Sequence, residues 1–215
     1  MRKALGAVVL GSLVLLVNPA SASAHADLHS SNPTNGAVVS SSPKSVVLVF
    51  SEAVELNSAE LLSNSAQSIP SQAKIAGATL TITPTRKMAS GPLAAQWEVT
   101  SDDGHVITGA ISFIVGKPTS IGKPVAIVTL PKIAVNLSGN RAGSLRLNLA
   151  AAATSGEIQW THQSLQGPIT WRATGNGKKV SATGVLPFAG DWTMNATLIG
   201  KGGSVLITTG KVHLV

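Results

Sequence analysis

At 215 residues the chain allows one large domain or two modest ones, each big enough to bury a core. Hydrophobic residues make up 44% and charged residues 12%, which excludes a disordered tail, and aromatic residues at 3%, with no tyrosine, argue against stacking platforms for glycans or single-stranded nucleic acid. The formal charge is +7, yet the basic residues are scattered apart from Arg86–Lys87 and Lys178–Lys179, which is not the clustered pattern of a nucleic-acid protein.

Arg2 and Lys3 followed by the apolar stretch Ala4–Val17 and by Ala22-Ser23-Ala24 read as a secretory signal peptide spanning residues 1–24. The apolar run is too short for a comfortable membrane anchor, and no later stretch is long enough to span a bilayer. With no cysteine, the chain has no disulfides and no N-terminal Cys to lipidate. The expectation is a soluble exported protein, periplasmic or at the cell surface, with 14 basic and 9 acidic residues after cleavage (a charge of +5) and with His25 as its first residue.

Downstream, hydrophobicity alternates with a period of two, so the predicted class is all-β, barrel or sandwich. Ser45–Ser51 is almost continuously apolar, as in a strand buried on both faces. Leu80 and Ile82 share one face of the next strand; Leu93, Ala95, Trp97 and Val99 share a face of another, and Ile107, Ile111, Phe113 and Val115 one of a last strand. These define a first domain over residues 25–116. The segment 117–123 reads as a linker. A second all-β domain over 124–215 follows, with alternation at Leu145, Leu147 and Leu149, at Ile158 and Trp160, at Ile169 and Trp171, and from Trp192 to Leu198. Asn176-Gly177 marks a hairpin turn within it. No internal repeat links the halves.

Two features of the first domain carry chemistry. His25 would offer two nitrogens after cleavage, its α-amine and its imidazole. Asp103-Gly104-His105 precedes a strand, and in an extended segment Asp103 and His105 point the same way. Together they form a nitrogen-rich set suited to one Cu(II) ion. Asp-Gly also marks ordinary turns and histidines beside strands are common, so neither feature settles the matter alone. His29 and Asp27 share a face near His25 and face either an ion or solvent. Glu52 reads as a structural hydrogen-bond acceptor, His162 as a packed histidine, and His213 as solvent-facing. Met88 and Met194 are the mature chain's methionines and read as packing residues, which offers no sulfur cluster for Cu(I).

The stretch His25–Gly116 resembles the CopC (PcoC, YobA) family of extracytoplasmic copper proteins. The resemblance lies in the opening His25-Ala26-Asp27-Leu28-His29-Ser30-Ser31-Asn32-Pro33, in the strand Val47–Glu52, and in Trp97–Gly109, similar to the family's Trp strand followed by Ser-x-Asp-x-His-Pro-x-x-Gly. Val106 stands where that motif usually has proline. The resemblance implies a small antiparallel β-barrel or sandwich and a Cu(II) site made of His25, Asp103 and His105. It implies a non-enzymatic role in copper sequestration, buffering or delivery, with a membrane copper transporter of CopD type as a candidate partner. The segment from Gly190-Asp191-Trp192 to Val215 faintly resembles the terminal β-domain of CopC–CopD fusions, on one Gly-x-Trp strand. The alternative is a histidine-brace oxidase similar to lytic polysaccharide monooxygenases. Against it stand Asp103, which would fill the position oxygen needs, and the lack of aromatic residues for a glycan surface.

Overall fold

The computed structural model describes residues 26–117 and 122–215. The expected signal peptide, His25 and most of the expected linker lie outside the described residues. The strands are β1 (Leu28–Asn32), β2 (Val38–Val39), β3 (Val46–Phe50), β4 (Val54–Leu62), β5 (Ser68–Ile69), β6 (Ser71–Ala76), β7 (Thr79–Pro84), β8 (Gly91–Ser101) and β9 (Val106–Val115) in the first half. The second half contains β10 (Val125–Ile127), β11 (Thr129–Leu130), β12 (Val135–Leu137), β13 (Gly143–Leu149), β14 (Ser155–His162), β15 (Ile169–Gly175), β16 (Val180–Leu186), β17 (Gly190–Ile199) and β18 (Val205–Leu214). The all-β class is as expected, in sandwich-like sheets and not closed barrels.

In the first half the sheet β1-β3-β7-β6 lies over the strands β4, β8 and β9. Between these layers Val46, Leu48 and Phe50 meet Leu80, Ile82, Leu93, Trp97, Val99, Ile111 and Phe113. The period-two faces foreseen for these strands are the ones that close this core. The β3 strand differs from expectation: Val46, Leu48 and Phe50 are buried, whereas Val47 and Val49 are only half-buried. Unbroken hydrophobicity there reflects the β-preference of valine as well as burial.

The second half runs in the order β10-β12-β13-β16-β15-β14-β17-β18-β11 around its own core. Trp160, Trp171, Trp192, Met194, Leu147 and Phe188 are buried in it, and Trp160 and Trp171 meet with ring centroids 5.2 Å apart. The Asn176-Gly177 turn is as expected. Gly177 adopts φ +84°, and the Asn176 side-chain oxygen accepts the Lys178 and Lys179 amides at 3.0 Å each.

The halves are not separated by solvent. The β9 strand pairs in parallel with β15 through Ala110 opposite Ile169, and the Ala110 amide donates to Pro168 O at 3.0 Å. The faces of β8 and β9 opposite the first core, which alternation alone assigns to water, are therefore covered. Ala94 and Ala110 join the second core, and the Ser112 hydroxyl donates to Val185 O at 2.7 Å. Gln96 Oε1 accepts the Gln166 amide at 3.0 Å while its Nε2 donates to Glu60 at 2.9 Å. Gly167 seals the junction, because a Cβ there would lie 2.4 Å from Gly109 N and 2.5 Å from Thr108 C.

Both methionines pack as expected, Met88 in the first core and Met194 in the second. His162 is buried between Phe188 and Trp192, its Nδ1 accepting the Ser164 amide at 3.1 Å. Glu52 departs from expectation, since its Oε1 is buried with no hydrogen-bond partner among the described residues.

Two outcomes follow. Gly167→Ala pushes a methyl group into the β9 backbone and should destabilise the protein by about 1–3 kcal/mol, with faster hydrogen exchange at the Ala110 amide; unchanged exchange there would refute the close packing. Burial holds the His162 pKa below its ordinary value of 6.5. As pH falls through about 6.5, the unfolded chain takes up a proton that the folded one resists, so stability should fall between pH 7 and 5. Denaturant titrations should show a shallower fall in His162→Gln than in the parent chain.

Candidate metal centre

The β8–β9 hairpin ends in a turn built by its own sequence. Ser101 and Val106 are the last and first residues of the two strands. The Gly104 amide donates to Ser101 O at 2.8 Å and the Ser101 amide to His105 O at 3.0 Å. Gly104 sits at φ +85°, a left-handed conformation that costs glycine little. Deeper in the hairpin Trp97 lies opposite Gly109, and a Cβ on Gly109 would come within 2.4 Å of Trp97 Cζ2. The indole thus lies flat across the glycine, with Phe50 against it edge-on at 6.0 Å. This packing anchors the strands that carry the turn.

Asp103 and His105 do converge. Asp103 Oδ2 lies 2.9 Å from His105 Nδ1, and Asp103 Oδ1 accepts the His105 amide at 3.2 Å. The Ser101 hydroxyl donates to Asp103 Oδ1 and also lies 3.1 Å from His105 O. A hydroxyl has one hydrogen, and the shorter contact is to the carboxylate. That hydrogen bond, helped by the His105 amide and ring, lowers the Asp103 pKa to about 2, so the carboxylate is charged at neutral pH. The His105 side chain is 61% exposed and that of Asp103 25%, so an ion can reach both from solvent. Ser101 opens the Ser-x-Asp-x-His pattern, and the hydrogen bond shows what its hydroxyl does there.

Asp27 and His29 line a cleft of about 760 Å³ between the halves, whose other walls include Gly109, Glu157, Thr170 and Arg172. Ala26, the first described residue, also lines it. Among the described residues no group of three His, Asp or Glu side chains is close enough to hold an ion. His29 and Asp27 therefore do not form such a group with Asp103 and His105, and the remaining expected ligand, His25, lies outside the described residues. His213 is exposed as expected but paired, its Nδ1 lying 2.6 Å from Asp191 Oδ1.

Residues 28–116 match the family model described as the CopC domain. Among solved structures, CopC from Methylosinus trichosporium OB3b is 28% identical, with 42% of this chain and 93% of that chain covered and a TM-score of 0.40. PcoC from Escherichia coli, a copper resistance protein, is 24% identical in one structure, covering 41% of this chain and 98% of that one at a TM-score of 0.37. A second structure of PcoC from Escherichia coli, a methionine-rich copper resistance protein, is 26% identical, covering 43% of this chain and 99% of that one at a TM-score of 0.38. No curated protein matches the chain.

Replacing Ser101 by alanine removes the main cause of the low Asp103 pKa. In metal-free Ser101→Ala, the Asp103 carboxyl should titrate closer to the ordinary value of about 3.9, as followed by carbon NMR. A midpoint still at about 2 would mean that the hydroxyl contact does not act as drawn.

Proposed function

We propose that the exported protein binds one Cu(II) ion through His25, Asp103 and His105 and sequesters, buffers or delivers copper outside the cytoplasmic membrane. The observation that carries this reading is the Asp103–His105 pair, a charged carboxylate and an imidazole nitrogen 2.9 Å apart on an exposed turn of a CopC domain. A cation between them would take the place of the proton they share. The donor set is nitrogen and carboxylate oxygen, which favours Cu(II) over Cu(I). His25 would add its imidazole and, once the leader is removed, its amine. The structural neighbours named for copper resistance agree in chemistry with this cargo.

Binding and not catalysis is the proposed role. A carboxylate occupying the copper leaves no open position for oxygen, and without a sulfur ligand Cu(I) is held poorly, so redox cycling is disfavoured. No helix among the described residues is long and apolar enough to cross a membrane. A membrane copper transporter of CopD type would receive or supply the ion. Residues 25–116 and 124–215 act in this reading as two domains, the first holding metal and the second supporting its β8–β9 hairpin.

Copper titration with a competing chelator tests the assignment. His105→Ala and Asp103→Ala should each weaken Cu(II) binding by more than the tenfold to hundredfold typical of residues that only orient a ligand, whereas His29→Ala should change it less. One extra residue before His25 should weaken binding sharply by removing the free amine. Equal affinity of the extended and cleaved forms, or a larger loss in His29→Ala, would overturn the ligand set. Rapid peroxide production with ascorbate would instead place the protein among copper oxidases.

A further inference from the structure

Charge is divided unevenly between the halves. Residues 122–215 carry nine basic and two acidic side chains, or +7, whereas residues 26–117 carry five and seven, or −2. Basic residues that look scattered in sequence are gathered by the fold. The β13–β14 connection at 150–154 and the hairpin turns at 176–179 and 200–204 close the same end of the second half, where the Gly177 amide donates to Ala153 O at 3.0 Å. A Cβ on Gly177 would lie 3.8 Å from Lys201 Cε, so Lys178, Lys179 and Lys201 stand together. Lys132, in the turn between β11 and β12, joins them from the neighbouring edge.

The same end exposes aliphatic side chains on adjoining strands. Val205 and Ile207 on β18 are 63% and 65% exposed, Ile199 lies opposite Val205 on β17, and Leu130 on β11 is 69% exposed. Single exposed aliphatics are ordinary, but a contiguous group of them is not. On the other flank an open, mostly apolar pocket of about 430 Å³ is lined by Ile127, Val135, Leu149 and Ala150, with Lys179 among its lining residues.

We propose that this end of the protein docks on an anionic phospholipid surface. Lysines around an aliphatic patch match the two layers of such a surface: phosphates meet the ammonium groups, and the aliphatics enter the boundary below. The pocket beside Lys179 is apolar where a lipid chain would lie and basic where its headgroup would lie. A soluble polyanion would account for the lysines but not for the exposed aliphatics or the pocket. A second copy of the chain would cover the aliphatics but bring two sets of lysines face to face.

The topology also sets an orientation. The β9 and β15 strands are parallel, so the Asp103–His105 turn, which precedes β9, lies at the opposite end from the Lys178–Lys179 hairpin, which follows β15. About ten residues of strand at 3.3 Å each separate them, roughly 33 Å. A docked protein would hold that turn away from the bilayer, in the aqueous phase.

Sedimentation of the full mature chain with phosphatidylcholine vesicles, with and without an equimolar share of phosphatidylglycerol, tests this. The protein should pellet with the anionic vesicles and not with the neutral ones. The triple variant Lys178→Ala, Lys179→Ala, Lys201→Ala should bind on the order of a hundredfold more weakly, and Ile207→Ser should also bind more weakly, each with an unchanged melting curve. Three results would overturn the proposal: equal pelleting with both vesicles, equally tight binding to double-stranded DNA that Ile207→Ser leaves intact, or no vesicle binding together with a dimer that Ile207→Ser dissolves.

Discussion

The β8–β9 hairpin is buried on both faces, and most of the molecule is arranged around that fact. One face supplies Leu93, Trp97, Val99, Ile111 and Phe113 to the first core. The other gives Ala94 and Ala110 to the second core and hydrogen-bonds the second half through Gln96 and Ser112. A strand pair so placed cannot shift register without exposing one core or breaking the other's contacts. Its free end, the turn from Ser101 to His105, carries the Asp103–His105 pair at the surface.

Small residues make this double burial possible. Gly109 gives Trp97 room to lie across the hairpin, and Gly167 lets the loop before β15 approach the β9 backbone. Alanines and not larger aliphatics stand at 94 and 110, where two cores share one thin layer. The contrast with the turn is physical. The hairpin is covered on both faces, whereas the turn is exposed, and there the Ser101 hydroxyl holds the Asp103 carboxyl below its ordinary pKa.

The second half contributes more than support. It covers the hairpin at one end of its strands and gathers lysines and aliphatics at the other. Two surfaces of opposite chemistry thus lie at opposite ends of one body, the acidic Asp102–Asp103 turn and the basic hairpins. Parallel pairing of β9 with β15 is what sets them apart.

The class of fold was legible because period-two alternation states which residues face a core, and Leu80, Ile82, Trp97, Phe113, Trp160 and Met194 are all buried as that pattern requires. The Asp103–His105 pair was legible as neighbours two apart, but it converges across a turn through left-handed Gly104 and not along extended chain. Alternation says that a face is apolar or polar, not what lies against it. The small and polar face of β8 and β9, with Ala94, Gln96, Ala110 and Ser112, is covered by the second half, which alternation does not state. The meeting of Gly109 and Gly167 and the gathering of Lys132, Lys178, Lys179 and Lys201 likewise depend on how the chain turns back on itself. Sequence spacing carries information over a few residues; approaches between distant segments are decided by packing in three dimensions.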